Sequence, residues 1–437
     1  MRELIRQKIV DSQTALVPEF TRRDVRLPGV PGKAVAVIGT RRAGKTTFLW
    51  QVLADRVAQG VAREGLLYFS FEDERLAGMT AADLNLVVEE YYRFNPEWRD
   101  TQQALFLLDE IQVVPGWEVF ARRILETESI ELFVSGSSAK LLSREVATSM
   151  RGRAMEAKVF PFSFREYLRH HGREPQRSAA RLPKASRSAL EKDLRDYLAV
   201  GGFPEAQGIA LHDRFDLLRG YVDVMLLRDV IERHAVSHPI ALRWLVRQLL
   251  GNPAGTFSVS KFYGDLKSQG IPVAKDTLHA YLGYLEDAFL IRIVSLASDS
   301  ERRRMVNPRK VYPIDPGLIP VFDRSDRTNV GHVLETCVLL ELERRGAHVS
   351  YVRTADGNEV DFLARYPDQT QSLIQSCAEL DDPDTRQREV RALLAAAKEH
   401  RRAGLHLITL TPEAARGLPE HIAVHSAAQW LLADRAP

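Results

Sequence analysis

Gly39-Thr40-Arg41-Arg42-Ala43-Gly44-Lys45-Thr46 sets two glycines, a lysine and a hydroxyl at the spacing G-x-x-x-x-G-K-[ST]. That spacing suits a triphosphate. The glycines let backbone N–H groups curl around phosphate oxygens, and the helix that follows adds the positive end of its dipole. Lys45 would reach the β- and γ-phosphates, and the Thr46 hydroxyl would hold Mg²⁺. Residues 39–46, with Thr47, are the expected contacts of bound ATP.

A second group supplies carboxylates. Ala104-Leu105-Phe106-Leu107-Leu108 is an apolar run that ends in Asp109-Glu110. It reads as a buried parallel strand whose C-terminal end opens onto the crevice where α/β sheets bind ligands. Asp109 would take Mg²⁺ through the metal's water shell. Glu110 would polarise the water that attacks the γ-phosphate, the division of labour that phosphoryl transfer requires.

These residues need a sheet to hold them. Residues 33–38, before the loop, read as a buried strand, and residues 47–53 as the first turns of a helix. Further strands are expected at 66–71, 104–109, 130–135 and 154–160, with helices at 81–92 and 117–128. Strands alternating with helices predict a parallel sheet with right-handed crossovers.

The character changes after Pro161. Residues 163–250 show helical periodicity, interrupted by a polar loop over 171–187 and by Gly201-Gly202-Phe203-Pro204. A capped helix (258–266), a turn (270–273), a second helix (275–285) and a strand (289–294) suggest a winged helix-turn-helix. The basic cluster 302–310, with Arg302-Arg303-Arg304 and Arg309-Lys310, falls at the wing. A DNA-binding role would use it for phosphate contacts; a winged helix used for packing would leave the same side chains as solvated surface. Residues 329–437 read as another α/β unit, with helices at 331–345 and 384–401 and strands at 348–352, 359–363, 372–377 and 405–410.

Bulk properties narrow the class. The 437 residues are enough for roughly two to four domains. A net charge of +2 implies no global attraction to polyanions. Cys337 and Cys377 cannot make a disulfide framework, so a reducing, cytoplasmic setting is expected. The first eight residues carry no apolar signal-peptide stretch. No run approaches ~18 uninterrupted apolar residues, so no membrane span is expected.

The chain resembles the large group of prokaryotic AAA-type ATPases that carry a C-terminal domain of unknown function with a restriction-endonuclease-like fold. The matching stretches are the loop at 38–46, Phe71-Glu72-Asp73-Glu74-Arg75-Leu76, Leu108-Asp109-Glu110-Ile111-Gln112, Ser135-Gly136-Ser137-Ser138, Gly152-Arg153, Gly201-Gly202-Phe203-Pro204-Glu205, Asp315-Pro316-Gly317-Leu318 and Glu359-Val360-Asp361-Phe362. Reading and resemblance together imply an α/β protein: an N-terminal helix and linker (1–30), a P-loop AAA-type ATPase core on a parallel sheet (31–160), a helical lid (161–250), a winged helix-turn-helix (251–310) and a degenerate PD-(D/E)XK-like α/β domain (311–437). The resemblance also implies roles. Ser135 matches the position that senses the γ-phosphate. Arg144, Arg151 and Arg153 lie where such ATPases place arginine fingers, with Arg153 the favoured one. In the C-terminal domain Glu335 matches the helix acid and Asp361 the first strand acid. The position of the acid-x-Lys pair reads Gln375-Ser376-Cys377, which predicts that no nuclease activity survives.

Two readings of function follow. One is an Mg²⁺-dependent ATPase whose cycle drives conformational work, with DNA as partner through the winged helix and basic cluster. This version extends to a homo-oligomeric motor on branched or duplex DNA, with fingers between subunits. The other is a nucleotide-controlled protein-binding switch or scaffold, closed by ATP and released by slow hydrolysis.

Overall fold

The structure is a computed structural model that describes the chain apart from residues 100, 137–149, 151, 177–181, 324–328, 416 and 434–437. It divides into two compact units, residues 1–160 with 287–289, and residues 161–286 with 290–437.

The first unit is built on five strands: β1 (Ala34–Ile38), β2 (Leu66–Ser70), β3 (Ala104–Asp109), β4 (Ile130–Ser135) and β5 (Ala154–Lys158). Their order is β2-β3-β4-β1-β5, and every pairing is parallel. β1 and β3 are buried along their whole length, as helices on both faces of a parallel sheet require. The helix Lys45–Ala58 packs Phe48, Leu49 and Leu53 onto Val35, Val37, Leu105, Leu107 and Phe133. On another helix, Arg2–Thr14, Ile5 and Ile9 are fully buried, and this helix lies against β2 and the helix Leu84–Phe94. Because all five strands run one way, the ends of β1, β3 and β4 share an edge. Gly39, Glu110 and Ser135 are therefore delivered together.

The second unit begins with the helices Phe164–His170, Lys184–Val200 and Leu211–Val224. The last continues through a π-helical stretch, Met225–Ile231, and the helix Pro239–Leu250 follows. Next come helices Val259–Ser268 and Lys275–Asp287 and a three-stranded antiparallel sheet of β6 (Thr256–Phe257), β8 (Arg309–Pro313) and β7 (Ile291–Val294), in that order. Between β7 and β8 the chain forms a short helix, Glu301–Val306, where a wing loop was expected. Strand β8 also runs across residue 310, at which the sequence reading ends one domain and begins the next.

The C-terminal part is a mixed sheet, β13-β12-β11-β10-β9. β9 (His348–Arg353), β10 (Glu359–Arg365) and β11 (Gln371–Cys377) are antiparallel; β12 (Gly404–Thr409) and β13 (Ile422–Ser426) continue parallel to β11. Helices Val330–Arg344 and Pro383–Glu399 belong to it. One core joins Phe164, Tyr167, Leu194 and Tyr197 to Val338, Leu342, Phe362 and Trp430, so the helices at 164–200 share their apolar interior with this sheet. A polar tie adds to it: Asp315 accepts from the N–H of Gly202 at 2.6 Å and of Gly317 at 2.9 Å. Gly201 has φ +80°, and a Cβ there would lie 2.0 Å from Asp315 Oδ1, which accounts for a glycine facing Asp315-Pro316-Gly317.

Candidate active site

The loop after β1 bends as its glycines dictate. Gly39 has φ +153°, and a Cβ on it would lie 2.0 Å from the carbonyl oxygen of Val159. Gly44, at φ +92°, precedes the helix that starts at Lys45. Between them Thr40 and Ala43 are buried, Arg41 half-buried and Arg42 exposed; Thr47, on the helix, is half-buried. The Lys45 ammonium lies over the loop and donates to the carbonyls of Gly39 and Thr40, each at 3.1 Å. From the segment before β1, Arg23 reaches in. Its guanidinium donates to the carbonyl of Ala43 at 2.7 Å and to that of Phe160, and its backbone N–H donates to Gln51 Oε1 at 2.7 Å. The loop is thus held from beneath by a residue that no motif marks.

The acids stand beside it. Thr46 Oγ1 donates to Asp109 Oδ2 at 2.9 Å, and Tyr68 on β2 donates to the same oxygen at 2.8 Å. Ser135 Oγ donates to Asp109 Oδ1 and accepts from the N–H of Glu110 at 3.3 Å. Glu110 itself is left-handed at φ +55°, a conformation a non-glycine residue keeps only where its surroundings enforce it. Burial pushes the Glu110 carboxyl up from its ordinary value; the nearby Lys45 charge and the amide of Gln112, which donates to Glu110 Oε2, pull it the other way. An exposed threonine hydroxyl next to a buried carboxylate is an oxygen donor set, the kind a hard divalent cation takes, and it fits Mg²⁺.

The expected finger, Arg153, lies away from this chain's own loop. Arg153 directly precedes β5, and its carbonyl accepts from the N–H of Ala34, at the start of β1, at 2.8 Å. It therefore sits at the edge of the sheet opposite the loop, roughly 16 Å away at ~3.3 Å per residue, and its guanidinium pairs with Glu126. The finger expected at Arg153 is not part of this chain's own site. Arg144 and Arg151 lie outside the described residues.

The second group of acids also converges. Glu335, on the helix Val330–Arg344, and Asp361, on β10, meet around the ammonium of Lys310, which reaches them from β8. Nζ lies 3.0 Å from Glu335 Oε1, 3.1 Å from Asp361 Oδ1 and 2.9 Å from Glu359 Oε1. Gln375 Oε1 accepts from the Asp361 N–H at 3.2 Å, and its amide donates to Glu389 Oε2 at 2.7 Å. The Cys377 thiol is pushed up to about 11 by burial. Lys310 was expected among phosphate-contacting side chains at a wing. It is 3% exposed and committed to carboxylates, whereas Arg302 and Arg303 are exposed on the short helix.

Parallel sheet, phosphate loop and Thr46–Asp109 pair define a P-loop nucleotide-binding core. A sequence model described as an AAA domain matches residues 31–168, and one described as a domain of unknown function matches residues 191–327. The uncharacterized protein MJ1544 of Methanocaldococcus jannaschii is 32% identical over 417 residues, spanning 93% of this chain and 89% of that protein. An uncharacterized protein of Haemophilus influenzae is 30% identical over 334 residues, 76% of this chain and 80% of its own length. The chain belongs to the family of these two proteins. Among solved structures, the Walker-type ATPase PABY2304 of Pyrococcus abyssi aligns over 74% of this chain and 95% of its own at a TM-score of 0.43 and 15% identity. Among the described residues no helix is long and apolar enough to cross a membrane.

Proposed function

We propose that the protein is an Mg²⁺-dependent ATPase that couples ATP binding and hydrolysis to conformational work on DNA. The observation that carries this reading is the convergence of Lys45, Thr46 and Asp109 on one edge of the sheet, with Thr46 Oγ1 2.9 Å from the carboxylate. Phosphate oxygens would replace the loop carbonyls as partners of Lys45. Thr46 and Asp109 would hold Mg²⁺, which neutralises charge on the phosphates when bound. Glu110, raised in pKa by burial yet hydrogen-bonded by Gln112, would accept a proton from the attacking water. Ser135 would keep the Asp109 carboxylate turned towards Thr46.

DNA is favoured by the helix–turn–helix of Val259–Ser268 and Lys275–Asp287, with Arg302 and Arg303 exposed beside its sheet. The place of Arg153, across the sheet from its own loop, supports action in a homo-oligomer, where an arginine would be supplied by a neighbour. The same observation favours a second reading, a switch that turns over slowly until a protein partner binds. We further propose that the C-terminal domain is a binding module and not a nuclease, because Lys310 fills the space between Glu335, Glu359 and Asp361 and Gln375 carries no charge.

The test is ATP turnover by wild type and Lys45→Ala, alone and with single-stranded, duplex and four-way-junction DNA, with mass determined in the same buffer. The proposal expects turnover that DNA stimulates and that Lys45→Ala abolishes. Turnover indifferent to every DNA form refutes the DNA part, and turnover retained in Lys45→Ala refutes the site.

A further inference from the structure

Asp109 Oδ2 has two hydroxyls on it, and only one belongs to the phosphate loop. Tyr68, the third residue of β2, supplies the other at 2.8 Å. Oδ1 is taken by Ser135. A carboxylate that is 2% exposed is thus tied by three hydroxyls from three elements, the helix Lys45–Ala58, β2 and β4. Behind the phenol, the Tyr68 ring packs on the indole of Trp50, with centroids 4.6 Å apart and planes inclined at 36°. Trp50 follows Thr46 by four residues on one helix, so both lie on the same face. Thr46, Asp109, Tyr68 and Trp50 form a chain of contacts that begins and ends on one helix. Burial first, then the charge of Asp109, holds the phenol protonated well above the ordinary tyrosine range. At 2.8 Å from a carboxylate oxygen, the phenol is the donor.

We propose that Tyr68 is a positioning residue for magnesium: its hydroxyl holds the Asp109 carboxylate in the orientation that receives the cation beside Thr46. The inference rests on the ATPase reading above. A carboxylate turns freely about its Cβ–Cγ bond unless its oxygens are tied. Thr46 is a poor permanent tie, because a bound cation claims its oxygen. Tyr68 and Ser135 keep their bonds to Asp109 whether or not the metal is there, and so the carboxylate needs no reordering when it arrives. Outer-shell hydrogen bonds of this kind are worth ~10–100-fold in metal affinity.

The experiment measures ADP binding to the full chain by isothermal titration calorimetry, in Mg²⁺ and in EDTA, for wild type, Tyr68→Phe, Tyr68→Leu and Lys45→Ala. Tyr68→Phe keeps the ring against Trp50 and removes only the hydroxyl. It is expected to weaken binding in Mg²⁺ by about tenfold and to leave binding in EDTA unchanged. In turnover assays it raises the Mg²⁺ concentration for half-maximal rate by the same factor, without changing KM for ATP at saturating Mg²⁺. Tyr68→Leu shows the same Mg²⁺ penalty with a lower melting temperature. A penalty in the leucine variant that is missing from the phenylalanine variant overturns the proposal, since it would locate the role in the ring. So does a wild-type ADP affinity that ignores Mg²⁺. Lys45→Ala separates the two levels: if it retains full ADP binding, the ATPase reading fails. If it loses binding while Tyr68→Phe matches wild type in Mg²⁺, only the role of Tyr68 fails.

Discussion

Lys310 Nζ lies 3.0 Å from Glu335 Oε1, in a part of the fold where both side chains are buried. Tyr312 shares the face of β8 with Lys310 and donates to the same oxygen at 2.7 Å. Burial opposes the charge on Lys310, but Asp361, Glu335 and Glu359 outweigh it and hold the ammonium protonated. Burial and Asp361 push the Glu335 carboxyl up from its ordinary value, against the pull of Lys310 and Tyr312. Removing the ammonium leaves buried carboxylates without a counter-charge, the case in which breaking an ion pair costs most. Lys310→Met is expected to lose about 3–5 kcal/mol in urea unfolding, and Lys310→Met with Glu335→Gln to recover part of it. A loss near zero for the single variant would show that the cluster does not need its lysine.

The same cluster bears on nuclease chemistry. With an ammonium among its acids and an amide at Gln375, the domain is expected to leave supercoiled and branched DNA intact in Mg²⁺ or Mn²⁺ at all times tested. Robust cleavage that Asp361→Ala abolishes would reverse the assignment.

How much of this was readable beforehand depended on how local the cause was. β1 and β3 are apolar runs buried on both faces, and their sequences state that without help from the rest of the chain. The phosphate loop and Asp109-Glu110 are short motifs whose partners lie on neighbouring strands. Lys310 is the opposite case. Its strand, Arg-Lys-Val-Tyr-Pro, stands among arginines that read as a wing, and its partners lie 25 and 51 residues further on. The one local signal was the alternation that puts Lys310 and Tyr312 on one face. Tyr68 is likewise an aromatic residue in a strand, a position that packing alone explains until Asp109 is seen beside it. Arg153 shows what a motif position leaves open: which edge of the sheet the residue reaches is set by the register of β5 on β1.

Glu110 and Gln112 give a prediction about pH. The buried Glu110 carboxyl is raised in pKa, and the Gln112 hydrogen bond favours its charged form. A general base works as the anion, so turnover is lost as pH falls through its pKa. Gln112→Ala removes a group that lowers that pKa; the acidic limb of the turnover profile should therefore move to higher pH, with less activity at neutrality. Glu110→Gln, which cannot take a proton, should bind ATP normally and turn over about 10²–10⁴-fold more slowly at every pH. An unmoved acidic limb in Gln112→Ala would assign the base elsewhere, as would normal turnover in Glu110→Gln.

The C-terminal sheet carries its own acid sensitivity. His406 on β12 and His425 on β13 face each other, Nδ1 to Nε2, at 3.0 Å. Burial, then His425, depresses His406 to about 4, and burial lowers His425 as well, with Arg345 adding to it. Here the unfolded chain takes up protons that the folded chain refuses. Stability is then complete above the ordinary histidine pKa and falls as pH drops from about 6.5 towards 4. Between pH 7.5 and 5 His406 alone should cost about 2 kcal/mol at ~1.4 kcal/mol per unit. The check is urea unfolding across that range for wild type and His406→Asn, an uncharged residue that keeps a polar side chain at the position. The variant is expected to be less stable at pH 7.5 and to show a shallower fall on acidification. Parallel curves for the two proteins would mean that the pair is not where this domain takes its protons.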